Sequence, residues 1–150
     1  MKAVIQRVNK VNLKINGALH ASIAEGLLVL LGIEESDFEE DIKWLAEKIT
    51  KMRIFADHEG KMNVSLIENG GEIMLVSQFT LYASTKKGNR PSFTKSANPI
   101  IAKPLYNSFI KYLNALLNTE VKTGVFGADM QIELVNDGPV TIIIDSKNRE

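Results

Sequence analysis

The sequence predicts a single α/β domain, on three observations. Strand-like apolar runs recur from residue 2 to residue 145, two longer segments repeat apolar residues at helical spacing, and no linker, repeat or low-complexity tract divides the 150 residues. That length buries a sizeable core, and 45% hydrophobic with 24% charged residues is an ordinary globular composition.

Residues 2–9 read as a strand, and Val11-Asn12-Leu13-Lys14-Ile15 alternates cleanly behind it. Asn16-Gly17 predicts a hairpin, because a type I′ turn needs positive φ at both central residues, and 18–24 return as the partner strand. Residues 27–33 are a continuous apolar run, as in a strand covered on both faces. A helix follows. Ser36 and Glu39 form its expected capping box, acids at 37, 39, 40 and 41 suit the positive end of its dipole, and Phe38, Ile42, Leu45, Ile49 and Met52 mark its buried face. Trp44 lies off that stripe.

Residues 57–61 read as a turn, 62–67 as a strand, and Asn69-Gly70-Gly71 as the turn into a buried strand at 72–77. Residues 83–98 lack apolar periodicity and form a loop rich in Ser, Thr, Lys and Gly, long enough to be functional. Asn98-Pro99 opens the second helix, with a core stripe of Ile101, Leu105, Phe109, Tyr112, Leu113 and Leu116. Pro104 either sits in the first turn of a helix that starts later or kinks one that starts at Pro99. Strands at 119–123 and 130–145 complete the chain. Asn136-Asp137-Gly138-Pro139 interrupts the last of them, and its plain reading is a hairpin turn, since proline cannot donate to a ladder.

Formal net charge is zero but segregated: residues 25–72 carry twelve acids against five bases, while 73–119 carry six bases and no acid. One basic side of the surface could attract phosphates. With no cysteine, disulfide frameworks and thiolate chemistry are excluded; no apolar run approaches a membrane span and no signal-peptide core leads the chain, so a cytoplasmic location is expected.

Only two histidines exist, His20 and His58, neither beside a nucleophile motif, and neither a metal-ligand pair nor a phosphate-cradling glycine loop is present. No metal or cofactor is expected. What remains is polar: Ser77, Gln78 and Thr80 follow Ile-Met-Leu-Val at the exit of a buried strand, where hydroxyl, amide and backbone N–H donors can stabilise an oxyanion. Close by, Lys86, Lys87, Arg90 and Phe93 supply the cations and aromatic ring that hold an RNA backbone. The plainer reading is a strand fraying into a solvated loop.

Ser-Gln-Phe-Thr-Leu at 77–81, Gly-Asn-Arg-Pro-Ser-Phe at 88–93, Thr-Gly-x-Phe-x-Ala-Asp-Met at 123–130 and Asn-Asp-Gly-Pro-Val-Thr at 136–141 together resemble the D-aminoacyl-tRNA deacylases, in order and over essentially the whole chain. Tyr82 and Pro104 depart from the family's usual residues. The resemblance implies a three-layer β/β/α sandwich of mixed sheets with two main helices. It implies a homodimer with its sites at the subunit interface, which hydrolyses the ester joining a D-amino acid, or mischarged glycine, to tRNA.

The family's pattern places Ser77, Gln78, Phe79 and Thr80 on the pocket floor, and Ala102, Phe126 and Met130 along its adenosine and aminoacyl wall. Gly138-Pro139 is then cis, braced by Arg7, and excludes L-residues in the partner's pocket. Partners are tRNA and a second copy of the chain, not DNA or a membrane. The alternative is a non-catalytic dimeric RNA-binding module that reads the tRNA 3′ end; a small-ester hydrolase using Thr80 lacks a base.

Overall fold

The computed structural model describes residues 1–149. Its strands are β1 (Lys2–Ile15), β2 (Ala18–Ile23), β3 (Gly26–Gly32), β4 (Arg53–Ala56), β5 (Met62–Ser65), β6 (Glu72–Ser77), β7 (Lys122–Thr123) and β8 (Met130–Asp145). Its helices are α1 (Glu39–Lys51), α2 (Leu66–Asn69) and α3 (Pro99–Leu117).

One long strand organises the sheet. Along one edge β1 pairs antiparallel with β3 over Lys2 to Val8 and with β2 over Val11 to Ile15; β8 pairs antiparallel with it from end to end. Beyond β3 the sheet continues in parallel through β6 to β7, while β4 and β5 form a separate pair. The α/β class and mixed pairing agree with the sequence reading. The six-stranded sheet curls nearly into a barrel, and β4 with β5 makes a second, two-stranded sheet.

Period-two alternation explains how. Leu27, Val29, Ile73 and Leu75 face α1 and α3, where Ile42, Leu45, Ile49, Phe109 and Leu113 are buried. Leu28, Met74 and Val76 point the other way, onto Val8, Val11, Leu13 and Ile23 from the far half of the curl. Each such fully buried aliphatic side chain contributes on the order of 1.5–3 kcal/mol. The sheet's parallel seam is pinned by a close approach: a Cβ on Gly26 would stand 2.0 Å from the Glu72 carbonyl oxygen. From that pairing the register runs on to Leu31 opposite Ser77.

A buried polar knot closes the helical side. The Met1 ammonium meets Asp37 Oδ1 at 2.5 Å, both fully buried, and donates to Ser146 Oγ at 2.7 Å. Ser146 O–H donates to Asp41 Oδ1, and Lys147 Nζ lies 2.7 Å from Asp41 Oδ2. Burial pushes the Asp41 carboxyl up, but the bonds from Lys147, Ser146 and the Phe38 N–H outweigh it and hold Asp41 below its ordinary value.

Several local expectations are corrected. The α1 capping box uses Asp41, whose carboxylate accepts the Phe38 N–H at 3.1 Å, so Ser36 and Glu39 do not form it, and Phe38 stays exposed. The strand at 62–67 stops at Ser65, because Ser65 and Glu68 cap each other and start α2. α3 starts at Pro99 with Asn98 as its cap and carries Pro104 inside it, on an exposed position. Its buried line is Ala102, Tyr106, Phe109 and Leu113, rotated from the expected stripe, and Ile101 faces outward. The strand at 119–123 shrinks to Lys122–Thr123.

The largest correction concerns 136–139. β8 keeps one direction through it: Asn136 pairs with Val8 and Thr141 with Gln6, so residues 137–140 bulge out opposite Arg7 alone. This is a bulge, not a hairpin. The Gly138–Pro139 bond in it is cis.

Candidate functional site

β6 ends where a 3-10 turn, Phe79–Tyr82, begins, and the change of path makes the site. The ladder lasts one residue past the strand: the Gln78 N–H donates to the Leu31 carbonyl at 2.8 Å. The next two N–H groups, of Phe79 and Thr80, open a helical turn and so have no partner within it. Gln78 spans them, its side-chain amide donating to Thr80 Oγ1. Thr80 therefore sits against an amide that cannot accept its proton, not against a base.

Beside this turn lies a cavity of about 600 Å³. It brings together Ser77, Gln78, Phe79, Ala102, Phe126 and Met130 from the end of β6, the 3-10 turn, α3, the β7–β8 loop and the start of β8, six of the residues the sequence nominates. Thr80 is exposed and outside the lining. Phe93 stacks edge-on against Phe79, centroids 5.2 Å apart. Phe126 leans on Tyr106 at 5.7 Å, and the buried Tyr106 hydroxyl donates to the Leu75 carbonyl at 3.0 Å, two residues before Ser77. Burial holds the Tyr106 hydroxyl well above its ordinary pKa, so it stays a neutral donor.

Arg7, Gly138 and Pro139 do not line this cavity. They meet each other elsewhere: the Arg7 guanidinium lies 2.9 Å from Asp137 Oδ2, donates to the Asp137 carbonyl at 3.3 Å, and also donates to the Ile54 carbonyl. Gly138 has φ +130°, a conformation L side chains rarely adopt, and a Cβ there would stand 2.8 Å from Val140 Cγ2 and 3.1 Å from the Val140 N, so the bulge favours glycine. Lys86, Lys87 and Arg90 are exposed on a loop closed by paired backbone bonds between Ser84 and Ser92.

Sequence reasoning missed Ser96 and Asp129, which also line the cavity. Asp129 had a local signal, its place in the Thr-Gly-x-Phe-x-Ala-Asp-Met run at 123–130 between Ala128 and Met130. Ser96 had none, being brought in by the Glu34–Ser96 bridge. Among the described residues no three His, Asp or Glu side chains gather as a metal site, and no helix is long and apolar enough to cross a membrane. Chemically, the site offers two backbone N–H groups without a partner in their own turn and a walled apolar slot, with no base poised on a nucleophile among the described residues.

A family model described as D-Tyr-tRNA(Tyr) deacylase matches residues 4–145. A D-aminoacyl-tRNA deacylase of Parabacteroides distasonis is 60% identical, and one of Cytophaga hutchinsonii 61%, each over the whole of both chains. A solved structure titled c-Myc DNA Unwinding Element Binding Protein superposes with TM-score 0.91 at 38% identity, covering 97% of this chain and 98% of that one. A second, titled as a probable eukaryotic D-amino acid tRNA deacylase, reaches 0.81 at 16% identity over 95% and 97%, a likeness of fold.

Proposed function

The chain belongs to the D-Tyr-tRNA(Tyr) deacylase family, and from that membership we propose how this pocket carries out the family's reaction. It hydrolyses D-aminoacyl-tRNA to free D-amino acid and tRNA. The observation that carries the mechanism is the site's composition: donors at the Ser77-to-Thr80 turn, and no base within reach of the Thr80 hydroxyl.

An aminoacyl ester is already activated, and the terminal ribose 2′-hydroxyl can assist the attacking water. The chain's own part is to bind and orient. The Phe79 and Thr80 N–H groups receive the charge that develops on the scissile carbonyl oxygen. Ala102, Phe126 and Met130 wall the adenosine and aminoacyl group, and Lys86, Lys87 and Arg90 meet the tRNA backbone.

Chirality is selected by a second copy of the chain. The Gly138-Pro139 bulge enters the partner's pocket on the side where an L-residue's side chain would project, and Arg7 fixes its position. The separation of Arg7, Gly138 and Pro139 from the cavity of their own subunit supports this reading. Glycine has nothing to exclude and passes. The enzyme works in the cytoplasm, where its substrate is made.

Purified protein is expected to hydrolyse D-Tyr-tRNA and to leave L-Tyr-tRNA intact. Equal rates on both, or none on either, overturn the proposal. Thr80→Val and Thr80→Ala are expected to retain turnover, falling roughly 2- to 10-fold for one lost hydrogen bond. Near-complete loss with tRNA binding intact would make Thr80 a nucleophile.

A further inference from the structure

Helix α3 departs from the mouth of the cavity: Pro99 and Ala102, at its start, both line it. Steps of four residues from Pro99 reach Lys103, Asn107 and Lys111, which share one ridge of the helix. All three are exposed, and at 1.5 Å per residue the ridge runs about 18 Å from Pro99 to Lys111. Neither lysine makes a hydrogen bond or ion pair with another described residue. No Asp or Glu occurs from 73 to 119, so nothing on α3 itself can neutralise them.

The other long helix is built differently. On α1, Lys43 pairs with Glu39 at 2.8 Å and Lys51 with Glu47 at 2.9 Å, each one turn apart. Lys48 lies over the Trp44 ring. Such pairs support an exposed helix in water, and α3 has none. Its ridge carries positive charge only, and an unneutralised line of one sign draws a polyanion of the other.

This inference rests on the deacylase reading, which fixes what leaves the cavity. With the terminal adenosine held inside, the nucleotides joined to it pass out over the mouth, and each brings a phosphate. We propose that Lys103 and Lys111 form a phosphate rail that guides the 3′-terminal strand of the tRNA from the cavity along α3. Asn107 adds a neutral amide donor between them. Contacts of this kind hold and align a backbone without reading its sequence. Neither lysine lines the cavity, so the rail acts on binding and not on the ester.

The test is the double variant Lys103→Gln, Lys111→Gln, assayed on D-Tyr-tRNA across a salt series. The KM is expected to rise about 3- to 20-fold, the range of two exposed ion pairs, with kcat unchanged. The slope of log kcat/KM against log salt is expected to become shallower by about 1.4, for two single-strand phosphates. The double variant Lys43→Gln, Lys51→Gln makes the same change in net charge on α1. It is expected to leave KM and slope near their wild-type values.

An unchanged KM or an unchanged slope overturns the inference and leaves deacylation standing. An equal shift in the α1 variant also overturns it, since bulk charge would then suffice. So does a loss confined to kcat, which would put the lysines in the chemistry rather than on the backbone. Wild-type protein inert toward D-Tyr-tRNA overturns the deacylase reading and this inference with it.

Discussion

Arg7→Ala is expected to remove most of the preference for D- over L-aminoacyl-tRNA, at least tenfold in the ratio of kcat/KM. The guanidinium is the side chain that ties the 137–140 bulge to the rest of the fold: it pairs with the Asp137 carboxylate, donates to the Asp137 carbonyl and reaches back to the Ile54 carbonyl. Its side chain is only 12% exposed, so water does not replace these bonds well. Losing a charge-assisted set of this kind costs on the order of 2–4 kcal/mol, most of it as disorder in the bulge. Arg7→Lys keeps the charge but lacks the planar fork that serves several acceptors at once, so it should recover little selectivity. The measurement is hydrolysis of D-Tyr- and L-Tyr-tRNA side by side. An unchanged ratio would remove Arg7, and the bulge it braces, from the selection mechanism.

Asp37→Asn carries the largest expected cost in stability. Both carboxylate oxygens are used as acceptors: Oδ1 takes the Met1 ammonium, and Oδ2 takes the Glu34 N–H at 2.8 Å. Asparagine offers one acceptor oxygen, so one buried donor is left facing an amide N–H₂, and the ammonium loses its counter-charge. Breaking a buried pair by removing one partner costs about 3–5 kcal/mol. For a domain of this size that is a fall in melting temperature of roughly 6–20 °C. Thermal unfolding followed by circular dichroism reads it directly, and a fall of under about 2 °C would mean the pair breaks even against its desolvation.

These two predictions differ in how much of their basis is legible in the sequence. Local periodicity places β1, β3, β6 and both long helices, because alternation and 3.6-residue spacing report which face is buried. It also places Ser77 to Thr80 at a strand exit. What it cannot report is what comes from far along the chain. The knot joins Met1 to Asp37 and Ser146, and no pattern within a window links residue 1 to residue 146. The bulge reads as a turn for the same reason: Asn136-Asp137-Gly138-Pro139 has turn chemistry, and only its pairing with Val8 and Gln6 shows that the strand keeps its direction. Capping fails on a finer scale. Ser36 and Asp41 are both reasonable partners, and the choice is made by Asp41's further bonds to Ser146 and Lys147.

The Gly26–Glu72 contact acts as the zero mark of a ruler. Counting from it along β3 and β6 delivers Ser77 opposite Leu31, and the cavity begins there. Everything between the two strands, α1, β4, β5 and α2, is an excursion that leaves the sheet and returns to it. Residues gained or lost in its turns do not enter the count. One residue gained or lost inside β3 or β6 does, and because side chains alternate it turns Ser77 to the opposite face. Variation in length is thus tolerated across the longest stretch between the two strands and forbidden within them, so the chain can drift in size around a site that stays at a fixed address.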